Sequence, residues 1–323
     1  MWLPSHMSEL ASEQFKPGDR LTEPTKEASV SSPMAAFLCP PGYAGPRGLR
    51  ALAREGSAVT EAARFVGRST RDRLSRRETP YASRSPEPGQ TPVVLVPGFL
   101  AGDGSLALMA RHLRRLGHRT YRSAIHANIG CTRDASEALE RRIEEIATRR
   151  DRPVTIVGHS LGGLLGRGLA ARRPDLVEGI VTLGSPVLAP GAAHALLLLD
   201  IAILVRLQRV GLGGLMGADC TSGDCARLSW DEARAPLAAG TSFTSVFSRR
   251  DGIVDWRSCL DPRARTVEVR TSHLGMAFDP AVLDIVGATL ADDRARRERE
   301  LSRRASLQAV PDASVGQPRA ASR

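Results

Sequence analysis

The sequence predicts an α/β fold, a mostly parallel sheet covered by helices on both faces. Two observations lead there. From Pro92 onward, short apolar runs of strand length alternate with longer stretches whose apolar residues fall at helical spacing. The runs are apolar on consecutive positions, as strands buried on both faces are, and strand–helix alternation places such strands side by side in one parallel sheet.

The elements follow in order. Val93–Val96 is a buried strand that ends in Pro97-Gly98. Leu106–Leu116 carries helical spacing, and Gly117 closes it. Arg119–Ile125 reads as the second strand. Ala135–Ala147 is helical, with Leu139, Ile143 and Ile146 on one face. Val154–Val157 is a strand, Leu161–Ala171 a helix and Gly179–Leu183 a strand. The alternation breaks between Pro186 and Gly240. It resumes with strands Ser242–Phe247 and Thr266–Val269 and a last helix near Ala281–Leu290.

What surrounds this segment differs in character. The chain has 323 residues, 42% of them hydrophobic, and a net charge of +10. Lys16 and Lys26 are the only lysines among 45 basic residues, a bias read first as genome composition. The excess charge sits in Arg47–Arg77 and Arg294–Arg323. Residues 1–46 are expected to be a disordered extension. Residues 47–90 read as an Arg-rich helical segment, with Leu49, Leu52, Ala53, Ala63, Phe65 and Val66 as its apolar positions, followed by a linker. Residues 91–292 form the domain, with an inserted cap at 187–240, and 293–323 a disordered basic tail. Basic arms can attract nucleic acid or an anionic membrane surface. With no binding motif and only 4% aromatics, no specific nucleic-acid partner is expected. Peripheral contact with an anionic membrane is compatible with the charge. No apolar run reaches the roughly 18 residues of a membrane span, and Met1–Glu13 lacks a secretory pattern, so a cytoplasmic location is the default expectation.

Gly158-His159-Ser160-Leu161-Gly162 falls between a strand and a helix. A serine at such a sharp turn projects its oxygen above the sheet edge, and its neighbours two positions away must be small. The helix that follows points its free amides and dipole at the same spot, which makes the Leu161 amide a candidate oxyanion donor. A nucleophilic serine needs a base and an orienting acid, in the chain order Ser, then Asp or Glu, then His. Only His194 and His273 follow Ser160. His194 precedes every plausible acid at a strand end, so His273, a few residues beyond Thr266–Val269, is the candidate base. His159 reads as a neighbour of the nucleophile. Phe247–Asp255 offers two acids. Asp251 is favoured, being nearer the strand end and followed by Gly252. Asp255 is the alternative, with turn capping as its other role. The second oxyanion donor is expected in the loop after Val93–Val96, at the Phe99 amide.

Together G-H-S-L-G-G, V-P-G-F, S-R-R-D-G-I-V-D and S-H-L-G-M resemble the bacterial lipases and esterases of the α/β-hydrolase superfamily over roughly Pro92 to Asp292. The resemblance implies the α/β-hydrolase fold with a helical cap insertion. It implies hydrolysis of a small-molecule or lipid ester through an acyl-enzyme, with Ser160, Asp251 and His273 as triad and Phe99 and Leu161 as oxyanion donors. An acyltransferase or thioesterase would use the same triad, and a non-catalytic adaptor with a vestigial domain is a third reading. The sequence departs at the front, where the first two strands of the full fold are not evident and the first loop reads Pro97-Gly98.

No metal or organic cofactor is expected, because the five cysteines form no ligand pattern with histidines. Cys220 and Cys225 are close enough in sequence to bridge. Within the cap, Ala193–Leu207 is apolar on nearly every face. Such a helix must be covered or must meet lipid or substrate, so it is a candidate acyl-chain wall.

Overall fold

Six strands, all parallel, order themselves β2-β1-β3-β4-β5-β6 in one sheet. They come from a computed structural model that describes residues 34–75 and 90–308. The strands are β1 (Pro92–Val96), β2 (Arg119–Arg122), β3 (Val154–His159), β4 (Val177–Leu183), β5 (Ser242–Phe247) and β6 (Arg265–Glu268). β1, β3 and β5 are buried at every position, whereas the edge strands β2 and β6 read R-T-Y-R and R-T-V-E and stay largely accessible. Polar edges of this kind deter further pairing.

The pleat sends alternate residues to opposite faces. Val93 and Leu95 join Val157, Val181 and Val246 on one face, under α3 (Ala107–Arg115) and α9 (Pro280–Gln308). Val94 and Val96 join Ile156 and Ile180 on the other, under α4 (Thr132–Arg150) and α5 (Leu161–Arg172). Arg167 of α5 is wholly buried, donating to the Ala235 carbonyl at 2.8 Å and lying 3.5 Å from Asp261. The chain leaves β1 to one side and returns to β3 on the other. Ligands in such sheets bind beyond the carboxyl ends of the strands at this switch point, where the loops after β1 and β3 carry Phe99 and Ser160.

Between β4 and β5 the chain inserts α6 (Ala195–Arg209), α7 (Asp219–Ser222) and α8 (Asp224–Arg234). Before β1 it forms α1 (Gly48–Glu55) and α2 (Ser57–Ser75). No described helix is long and apolar enough to cross a membrane.

Three expectations need correction. Residues 34–46 do not run free: Leu38 is buried, its carbonyl accepts the Gly191 amide, and the Ala35 amide reaches the Thr221 carbonyl. Phe37 packs edge-on against Trp230. The expected extension at residues 1–33 lies outside the described residues. The tail expected to be disordered from residue 293 is instead helical to Gln308, and Arg297 spans back to the sheet, paired with the Glu178 carboxylate at 2.9 Å and its carbonyl at 3.0 Å. Of that expected tail, residues 309–323 fall outside the described residues. The third correction concerns α1 and α2. Only some of their apolar residues pack: Phe65 lies against the core and Ala51 is buried, but Leu49 is 83% exposed and Val66 61%, while Glu61 is 1% exposed.

Candidate active site

Ser160 sits between β3 and α5 at φ 52°, ψ −122°. This is strained backbone for a side-chain-bearing residue, held by its amide bond to the Leu183 carbonyl at 2.8 Å and by its carbonyl, which accepts from Gly163 at 3.0 Å. The turn has no room for side chains at Gly158 and Gly162. A Cβ at Gly158 would lie 2.4 Å from the Gly163 Cα, and one at Gly162 would lie 2.3 Å from the Val96 carbonyl oxygen.

His273 and Asp251 meet at the ends of β6 and β5. The His273 Nδ1 donates to Asp251 Oδ2 at 2.7 Å, both side chains nearly inaccessible. The other carboxylate oxygen, Oδ1, accepts from the Ile253 and Val254 amides at 2.8 Å each, so the acid cannot rotate away. With Nδ1 protonated toward Asp251, Nε2 is the nitrogen free to accept a proton. Burial alone would lower the His273 imidazole. The Asp251 charge and hydrogen bond, joined by the charge of Glu55, outweigh it and hold the group above its ordinary value. Asp255 faces elsewhere, capping a short 3-10 turn at Trp256–Cys259 and pairing with Arg257 at 2.9 Å.

His159 packs against His273. Its Nε2 donates to the His273 carbonyl at 3.0 Å, with ring centroids 4.9 Å apart. Burial, followed by the nearby His273 charge, pulls its imidazole down to about 4, so it stays neutral. His194 caps α6, its Nδ1 accepting the Leu196 amide.

Phe99 and Ser160 line one pocket, of about 90 Å³, together with Leu161, Leu164, Leu197, Ile201, Met216 and Trp230. Met34 and Leu38 of the N-terminal strap complete its wall. A larger cavity of about 800 Å³ lies elsewhere, between residues 124–135 and 208–220, and does not reach Ser160. Among the described residues, neither the Phe99 nor the Leu161 amide has a backbone acceptor. The loop bearing Phe99 is fixed by Asn128, whose Nδ2 donates to the Pro97 carbonyl at 3.0 Å while its carbonyl accepts the Leu100 amide at 3.1 Å.

Sequence reasoning missed how the His and Asp loops are held. Glu55, at the end of α1, accepts from the Gly252 amide at 2.8 Å and the His273 amide at 3.0 Å through Oε1, and from the Leu274 amide at 3.1 Å through Oε2. Glu61 of α2 accepts the Ser272 amide at 2.9 Å and the Ser272 hydroxyl at 2.6 Å. One glutamate thus ties together the Asp251 loop and the His273 loop. The available signal was faint: two acids spaced six apart on a segment otherwise dense in arginine.

Such a sheet, with a strained serine at its central crossover, defines the α/β-hydrolase fold. Residues 91–211 match the family model described as the alpha/beta hydrolase fold. Among solved structures, the chain is similar to the mature form of the Bacillus licheniformis lipase BlEst2. That likeness has 15% identity and a TM-score of 0.51, over 65% of this chain and 95% of the other. The propeptide form of the same lipase matches at 17% identity and a TM-score of 0.51, over 64% of this chain and 51% of the other. At these identities the likeness is one of fold.

Proposed function

We propose that the protein hydrolyses carboxylic esters through a covalent acyl intermediate on Ser160. The observation that carries this reading is the buried His273–Asp251 pair, 2.7 Å apart, at the strand ends beside the strained Ser160 turn. Ser160 Oγ attacks the ester carbonyl as His273 Nε2 takes its proton. Asp251 keeps the imidazole in the useful tautomer and stabilises the cation that forms. The Phe99 and Leu161 amides receive the developing oxyanion. His273 then protonates the departing alcohol, and a water activated by the same nitrogen releases the acid.

The pocket favours an apolar acyl group, because its wall is built almost wholly from hydrocarbon side chains. Its volume of about 90 Å³ is well below the roughly 300 Å³ at which small-molecule sites begin. A long acyl chain therefore requires the pocket wall to open.

Replacing Ser160 tests the reading. Ser160→Ala is expected to lower turnover of a soluble ester by about 10⁶-fold, the scale of losing a triad nucleophile, and to abolish labelling by a fluorophosphonate. Retained turnover and labelling would overturn it.

A further inference from the structure

We propose that Cys131, Cys220 and Cys225 form a three-thiolate site for a zinc-class divalent cation, which fastens the cap to the sheet domain. The three sulfurs lie within 4.8 Å of one another, and among the described residues they are the one cluster of its kind. Cys131 comes from the core, immediately before α4, while Cys220 and Cys225 come from α7 and α8 of the cap. The sequence spacing hides this, because the third thiol is supplied from some ninety residues away.

The spacing of the sulfurs suits a metal. With Zn–S bonds of about 2.3 Å, a tetrahedral site sets its sulfurs about 3.8 Å apart, and the Cys131 and Cys225 sulfurs are 3.8 Å apart. A disulfide needs about 2.05 Å and would leave one of the three thiols unused. All five cysteines of the chain are free. Cys220 and Cys225 are buried and Cys131 half-buried, and the Thr132 hydroxyl lies 3.1 Å from the Cys225 sulfur as an outer partner.

The cluster also has a way in and a fourth position. Cys131, Cys220 and Asp219 line the cavity of about 800 Å³. The Asp219 carboxylate is engaged outside the sulfur cluster, accepting the Cys225 amide at 3.3 Å, so a water from the cavity would complete the set. Binding displaces to solvent whatever protons the three thiols still carry and, with water as the fourth ligand, leaves one net negative charge on the site. Arg133, 3.5 Å from Asp219, stands ready to offset that charge. Because Cys220 and Thr132 also line the Ser160 pocket, the bound cation would fix the far wall of that pocket. The site itself stands independently of the ester reading.

The test is metal titration of the reduced, metal-free full chain under anaerobic conditions, with Co²⁺ as the visible probe and Zn²⁺ as competitor. One equivalent of Co²⁺ should produce thiolate-to-cobalt charge transfer and d–d bands of tetrahedral intensity, and one equivalent of Zn²⁺ should bleach them. Cys131→Ser, Cys220→Ser and Cys225→Ser should each weaken binding by more than the roughly 10–100-fold typical of losing an outer-shell partner, with Cys39→Ser unchanged. Zn²⁺ should raise the Tm of the natural chain and not that of Cys131→Ser. Absence of a saturable spectrum from the natural chain would overturn the proposal, whatever the variants do. So would binding that survives loss of all three cysteines, or a Cys131–Cys225 disulfide in the purified protein together with no metal uptake after reduction.

Discussion

The N-terminal arm α1–α2 and the cap helix α6 invert what their compositions suggest. The arm is rich in arginine and looks solvated, yet it buries Glu61 and sets Glu55 against three amides of the acid and base loops. Helix α6 is apolar around most of its circumference, yet only Ile201 and Val205 are buried, while Leu196, Leu199 and Ile203 are about half exposed. A buried carboxylate is tolerated only where it is hydrogen-bonded, and here the partners are loop amides that would otherwise lack acceptors. The lesson is that a hydrophobic pattern reports how much surface needs covering, whereas a polar anchor is defined by what the rest of the chain leaves unpaired.

Deleting the arm is expected to have the largest effect. Removing residues 1–78 should abolish measurable turnover and lower Tm, because the Ser272 and His273 amides lose buried acceptors at about 1–3 kcal/mol each. A shortened chain that keeps its rate on a soluble ester would show that the arm is ornamental. Next in size is the acid. Asp251→Asn should cost about 10⁴-fold in kcat and Asp255→Asn little, since Asp255 serves a turn and Arg257. Kinetics of the two variants side by side decide it.

Glu55→Gln sharpens the arm's role further. It keeps the shape but removes a charge and misplaces a donor among three N–H groups. A loss of one to two decades in kcat is expected from about 1.5–3 kcal/mol of charged hydrogen bonding. The pH profile should move as well. His273 works as a base only above its pKa, so activity falls as pH drops through that value. Glu55 helps raise it, and the acidic limb should therefore shift to lower pH in the variant. A rate loss with an unmoved limb would make Glu55 purely structural.

The smallest effect separates the two faces of α6. Leu197 and Ile201 line the Ser160 pocket. Each substrate methylene packed there contributes about 0.8 kcal/mol, nearly fourfold in specificity per carbon. Leu197→Ser and Ile201→Ser should flatten the chain-length profile of kcat/KM, and Leu199→Ser on the open face should leave it alone. An unchanged profile in destabilised Leu197→Ser and Ile201→Ser would assign the inner face to core packing.

The sheet could be read ahead of the structure because its inner strands announce themselves locally, Val93–Val96 by an unbroken apolar run and Val154–Val157 by one interrupted only at Thr155. Ser160 was readable for the same reason, since its turn needs glycines at fixed offsets. His273 and Asp251 were reached by chain order and strand ends together, with Asp255 left as the alternative acid, and the structure pairs His273 with Asp251. Glu55, Glu61 and Asn128 left no such mark. Each answers unpaired backbone groups in a loop distant in sequence, and no periodicity encodes that match. The N-terminal strap was missed likewise: Met34–Cys39 is one short apolar run between prolines, too short to declare an element, and the burial of Leu38 depends on the cap above it.

The account rests on a covalent intermediate at Ser160, and trapping it is the most direct measurement. A slowly deacylating ester mixed with the natural chain and quenched within the first turnover should yield one acyl group per chain. Peptide mass analysis should place that group on the segment containing Ser160, with none on Ser160→Ala. Turnover without any acylated peptide, or acylation that persists in Ser160→Ala, would contradict the account.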